Sequence, residues 1–120
     1  METCASQADN TGLPVFDRED AIERLGGAED LLDELLELLL KQTTTDLPQI
    51  AQAVERSDTD RLEHLAHNLK GAAASLSAER VRQAASDLES IGRDGDMSGA
   101  QPALALLEQE VILLRQTIGR

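Results

Sequence analysis

His64, His67, Lys70 and Gly71 are the residues of this 120-residue chain whose types and spacing could do chemistry. A neutral imidazole is nucleophilic near pH 7, unlike a lysine or serine that lacks an activating partner. Lys70, at i+3 from His67, has the length and charge to reach an anion held on the ring. Gly71, one turn on, removes the side chain that would collide with a bulky group on His67 or with another protein's backbone.

The placement of these residues on a helix sharpens the reading. At about 100° per residue, the apolar set Leu62, Leu65, Ala66, Leu69, Ala73 and Leu76 takes one side, and His67 falls about 160° from its centre. Gly71 shares that outward face, with His64 and Ala74 beside it. An outward helix face is ordinarily filled with Lys, Glu, Arg and Gln. A glycine inside a helix costs about 0.8 to 1 kcal/mol relative to alanine, so the clear space must serve something. An exposed histidine is ordinarily surface decoration, and its company here sets this one apart.

Other chemistries find less support. His64 and His67 could share a metal with Asp60 or Glu63, but they supply at most two imidazoles and no C-x-x-C pair accompanies them, so no metal is expected. No Gly-rich phosphate loop and no G-x-S-x-G elbow occurs. The single cysteine, Cys4, is far in sequence from both histidines and can form no internal disulfide.

Helices must position this group. Residues 1–13 are polar and aperiodic and read as a flexible leader, leaving 14–120 as one helical domain. Asp17 is a plausible cap for a short helix that Gly26-Gly27 ends. A long stripe follows through Leu32, Leu36, Leu39, Leu47, Ile50 and Val54, with Thr43 in its gap and Pro48 predicting a kink or a break near Thr45-Asp46. Ser57-Asp58-Thr59-Asp60 reads as a stop and an S-x-x-D cap for a third helix to Leu76. A fourth runs from about Ala78 to Ile91 with Gly92 as its stop, and a fifth begins at Ser98 or Gly99. The expected fold is all-α, an antiparallel up-down four-helix bundle with a short additional N-terminal helix over one end.

Composition agrees and excludes. Aromatic residues make up 1%, a single phenylalanine, so the core is aliphatic, and β-branched residues are too sparse for a sheet. A net charge of −12 argues against nucleic acid and anionic membranes, and no apolar run approaches the roughly 20 residues of a membrane span. A cytoplasmic location and a monomer are expected. The acidity lies at the front, where residues 1–46 hold 12 acids and 3 bases. From His67 to Arg82, Lys70, Arg80 and Arg82 face only Glu79, a local net of +2 that predicts a basic rim.

Leu65-Ala66-His67-Asn68-Leu69-Lys70-Gly71-Ala72-Ala73-Ala74 resembles the A-H-x-L-K-G-[AS]-[AS] signature of histidine-containing phosphotransfer (HPt) domains. The resemblance spans about residues 15–118, including the entry Phe16-Asp17 to Leu25-Gly26-Gly27 and Leu88-Glu89 after the motif. It implies a module of multistep two-component phosphorelays. His67 would take a phosphoryl group on Nε2 from the phospho-aspartate of one receiver domain and pass it to another. Lys70 would help neutralise the phosphoryl oxygens, and Gly71 would leave room for the phosphate and the receiver. His64, Ala74, Arg80 and Arg82 are candidate docking residues.

The partners implied are receivers of response regulators or of hybrid histidine kinases. The chain would carry a phosphoryl group with no ATP-binding domain and no cofactor of its own, the Mg²⁺ being the receiver's, and it could equally be a domain of a hybrid kinase. The competing readings are an adaptor that binds receivers or kinases without being phosphorylated, and an enzyme such as a kinase fragment or metal-dependent hydrolase. Ser77 stands where many members have glycine, and a serine there could cap the next helix.

Overall fold

The computed structural model describes residues 12–119, so most of the expected leader, Cys4 included, lies outside the described residues. Helix α1, Arg18–Arg24, starts where Asp17 accepts a hydrogen bond from the Asp20 N–H at 3.1 Å. It ends at Gly26 and Gly27, both at positive φ, where the Gly27 N–H closes on the Ile22 carbonyl at 2.9 Å.

Helix α2, Glu29–Glu55, runs through Pro48 without a break. Proline deprives the Thr44 carbonyl of its usual donor. Just before it, the hydroxyls of Thr43 and Thr44 both donate to the Leu40 carbonyl, at 2.6 and 3.1 Å. That bond lets Thr43 sit fully buried in the gap of the leucine stripe, since its only side-chain polar group is satisfied within its own turn.

Helix α3 is Thr59–Ser75, α4 is Glu79–Asp94 and α5 is Ala100–Thr117, the last preceded by a single 3₁₀ turn at Met97–Gly99. The cap of α3 is Asp58, which accepts from the Arg61 N–H at 3.2 Å. Ser57 instead takes the left-handed turn at φ +53°. Helix α4 does not stop at Gly92, because Gly95 at φ +81° is its left-handed terminus. Gly92 is interior and buried: a Cβ there would come 2.7 Å from the Glu63 backbone nitrogen and 2.9 Å from the Thr59 carbonyl oxygen. Glycine is therefore what lets α3 and α4 touch backbone to backbone.

Each helix from α2 onward packs on the next, and α5 returns against α2. Their short connections make the sequence of helices antiparallel, so the four close into an up-down bundle. Leu32, Leu36, Ile50, Leu62, Leu69, Leu88, Leu107 and Leu114 fill its axis, each less than 2% exposed. Removing one such leucine would cost about 2 to 5 kcal/mol.

Helix α1 is fastened to the α3–α4 turn. Ser77, buried and at φ +58°, donates through Oγ to Asp20 Oδ2 at 2.6 Å, and its carbonyl accepts from the Asp17 N–H at 3.1 Å. Ser77 thus caps nothing on α4, whose N-cap is Ala78. Its hydroxyl instead ties the turn to α1, at a left-handed conformation that glycine adopts more readily. Arg24 Nε completes the clasp at 2.8 Å from Asp20 Oδ2. Hydrogen bonds from Arg24, then from Ser77, hold the Asp20 carboxyl below the usual carboxylate range.

Candidate functional site

The α3–α4 contact sets the level of the site. With Gly92 against Glu63, moving one turn up α3 moves one turn back along α4, which brings Glu89 level with His67. Glu89 Oε2 lies 2.7 Å from His67 Nδ1 and Oε1 lies 2.6 Å from Lys70 Nζ. The Glu89 side chain is 8% exposed and the His67 side chain 62%. A nearly buried carboxylate therefore holds a largely exposed imidazole by one edge.

That bond fixes the tautomer. An ionised carboxylate only accepts hydrogen bonds, so Nδ1 carries the proton, and in the neutral ring Nε2 keeps its lone pair. The Lys70 ammonium, and after it the His67 ring, hold the Glu89 carboxyl below the ordinary range against the opposing effect of burial. Glu89 therefore stays ionised at neutral pH. The arrangement can present an exposed, oriented nitrogen nucleophile backed by a negative charge that would stabilise an imidazolium.

His64 and Gly71 are exposed on the same helix, and Ala74 is half-buried. A Cβ on Gly71 would meet nothing within 4 Å, so the chain itself has no need of a glycine there. His64 and His67 line one shallow groove with Asp60, Glu63 and Glu89. Among the described residues, no three His, Cys, Asp or Glu side chains are grouped so that they could hold a metal ion.

The predicted basic rim is neutralised within the fold. Lys70 pairs with Glu89, Arg80 with Glu110 at 3.0 Å and Arg82 with Glu79 at 2.8 Å. A count along the chain from His67 to Arg82 leaves out Glu89 and Glu110, which reach Lys70 and Arg80 from further along α4 and from α5. Arg80 is turned into the α4–α5 seam, away from the role expected of a free docking cation. Arg82 lies on the face of α4 that carries Glu89, about two turns away.

Glu89 is the residue in contact with His67 and Lys70 that sequence reasoning did not single out. Its signal was present: Ala85, Glu89 and Gly92 share one stripe of α4, and Ala85 and Gly92 are buried. An acid in a buried stripe calls for a cationic or hydrogen-bonding partner.

On the opposite flank of α3, Leu35, Leu38, Leu39 and Gln42 of α2 form an apolar groove with Ala72, Ser75 and Leu76. Leu31 and Leu38 are 42% and 57% exposed, unusual for leucines on a helix that also carries the core. The groove adjoins the face that bears His67 and Gly71, because Ala72 and Ser75 follow them on α3.

Comparison with known proteins gives a consistent answer. The family model described as Hpt domain matches residues 34–117. The chain is similar to the crystal structure of histidine-containing phosphotransfer protein B (HptB) from Pseudomonas aeruginosa PAO1, with a TM-score of 0.80 and 23% identity over 87% of this chain and 90% of that one. No curated protein matches the sequence.

Proposed function

The chain belongs to the Hpt domain family and is a histidine phosphotransfer module of phosphorelays, and from that premise we propose that His67 is the residue that carries the phosphoryl group. The observation that supports this most strongly is the 2.7 Å contact between His67 Nδ1 and Glu89 Oε2. In the neutral ring it leaves Nε2 as the nitrogen with the lone pair, on an outward face.

The transfer follows from that geometry. The Nε2 lone pair attacks the phosphorus of a receiver's phospho-aspartate, an N–P bond forms, and the O–P bond of the acyl phosphate breaks to release the aspartate carboxylate. Nδ1 keeps its proton, so the ring becomes a phosphorylated imidazolium whose charge Glu89 balances. Reversal onto a second receiver breaks the N–P bond and restores the neutral ring. In-line transfer demands little covalent chemistry from the protein beyond positioning and charge neutralisation. Lys70 is tied to Glu89 before phosphorylation, and its flexible stem lets it turn toward phosphoryl oxygens that outcompete one carboxylate oxygen. Gly71 supplies clearance for the incoming partner.

The partner is a receiver domain, which would bring its own Mg²⁺; this chain would need no cofactor. The receiver docks over His67 and Gly71 and onto the leucine groove between α2 and α3, which is continuous with that face. Arg80 and Arg82, already paired, contribute less to that docking than the leucines do. The chain works as a monomer in the cytoplasm; none of its described helices is long and apolar enough to cross a membrane. An adaptor that binds receivers without being phosphorylated has less in its favour, since it would need neither the Glu89-held imidazole nor the clearance at Gly71.

The test is transfer from a phosphorylated receiver to wild type and to His67→Gln. Acid-labile, base-stable label on wild type alone is the expected result. Equal labelling of both proteins would overturn the assignment to His67.

A further inference from the structure

Side chains on an α-helix lean toward its N-terminus, so the ring of His67 covers the turn before it rather than the turn that holds Gly71. The groove reflects this: the residues of α3 that line it with His67 are Asp60, Glu63 and His64, all on the N-terminal side. A phosphoryl group on Nε2 would therefore sit among these residues. His64 is exposed, and among the described residues that line the groove it is the one besides His67 that can become a cation.

The charges facing His64 come from three elements. Asp60, Glu63 and His67 lie on α3 itself, with Arg61 one turn back, engaged by Gln49 of α2. Glu89 contributes from α4. From α2, the pairing of Gln49 with Arg61 and of Leu38 with the Ala72 turn brings Asp46 level with His64, where Asp46 Oδ2 accepts from Gln42 Nε2 at 3.2 Å. The acids outnumber the bases, and a Lys70 that turns to the phosphoryl oxygens gives up its bond to Glu89. The imidazolium formed at His67 is balanced by Glu89, so a phosphoryl dianion added to such a groove gains from a further positive charge beside it. Imidazole is the side chain that can acquire one near neutral pH.

We propose that His64 is a second functional imidazole of this site, which takes up a proton from solvent when His67 is phosphorylated and donates a charge-assisted hydrogen bond to the phosphoryl oxygens. This rests on the reading of His67 as the phosphoryl carrier and adds proton uptake to it. Each phosphoryl group accepted is matched by a proton bound at His64, and each one passed on releases that proton. The retention of the phosphoryl group therefore depends on pH through a residue outside the His67-Glu89-Lys70 set.

The chain contains two histidines, so the experiment is direct. The C2-proton resonances of both rings are followed from pH 5.5 to 9 by NMR before and after phosphorylation with phosphoramidate, with His64→Gln assigning the signals. The expected result is that the titration midpoint of His64 rises by about one pH unit on phosphorylation, the size expected of a close opposite charge. In His64→Gln, phosphohistidine should be shorter-lived near neutral pH than in wild type, over and above the acid lability common to both proteins. An unchanged His64 midpoint in a protein whose His67 is phosphorylated would overturn this inference and leave the carrier role intact. Absence of phosphoryl from His67 would overturn the carrier role and this inference together.

Discussion

Glu89 Oε2 stands 2.7 Å from His67 Nδ1 across the α3–α4 seam, and the same carboxylate holds Lys70 through its other oxygen at 2.6 Å. One residue of α4 thus governs two residues of α3. The approach depends on Gly92, three positions later, where the two backbones touch.

Replacing Glu89 should separate orientation from charge. Glu89→Ala is expected to slow transfer on the order of ten- to a hundredfold, as loss of a residue that orients a histidine commonly does. Glu89→Gln keeps an acceptor for Nδ1–H without the charge and should fall between. Nitrogen-15 NMR of the His67 ring should show Glu89→Ala moving toward a mixture of tautomers. A ring still protonated only on Nδ1 in Glu89→Ala would mean that Glu89 does not set the tautomer.

The two glycines of the site should respond in opposite ways. A Cβ at position 71 meets nothing within 4 Å, so Gly71→Gln should leave stability unchanged or raise it by about 0.5 to 1 kcal/mol while slowing transfer from a receiver. Gly92→Ala forces a Cβ to 2.7 Å from the Glu63 backbone nitrogen and should cost about 1 to 3 kcal/mol in thermal or urea unfolding. Full transfer activity in Gly71→Gln would remove the clearance argument.

Acid should loosen the site before it unfolds the bundle. Lys70 and then His67 hold the Glu89 carboxyl below its ordinary range. A carboxyl depressed in the folded state contributes stability that is complete above its unfolded value, about 4.3 for glutamate, and is lost as pH falls through the lower folded value. Wild type should therefore lose more stability than Glu89→Gln between about pH 5 and pH 2. Parallel stability curves for the two proteins would contradict the coupling.

Leu38 is exposed and makes little of the core, so Leu38→Glu should change unfolding free energy by no more than about 0.5 kcal/mol. Its effect should appear in docking, with receiver affinity falling roughly tenfold, as befits loss of about 1.4 kcal/mol of apolar contact and the addition of a charge. Arg82→Ala, by comparison, should alter affinity less. The reverse ranking would place the docking surface on α4.

Much of this was legible in one dimension. The leucine stripes placed α2 through α5, and the wheel put His67 and Gly71 outward, because 3.6-residue periodicity is local information. Contacts between helices were not legible. Gly92 reads as a helix stop because a glycine near a helix end usually is one, and only the neighbouring backbone of Glu63 shows that it serves packing. Arg80 reads as a free surface cation until Glu110 arrives from α5. Ser77 reads as a cap, yet its hydroxyl reaches back 57 positions to Asp20. In each case the deciding partner is far away in sequence, and a pattern within one helix cannot name it.

The central claim, that His67 carries the phosphoryl group on the nitrogen Glu89 leaves free, is tested most directly by locating the N–P bond. Phosphorus–nitrogen coupling in the ¹⁵N-labelled protein, after transfer from a phosphorylated receiver, identifies both the residue and the ring nitrogen. The geometry predicts a single phosphohistidine, His67, bonded through Nε2. Phosphoryl on Nδ1 of His67, or on His64, would contradict it.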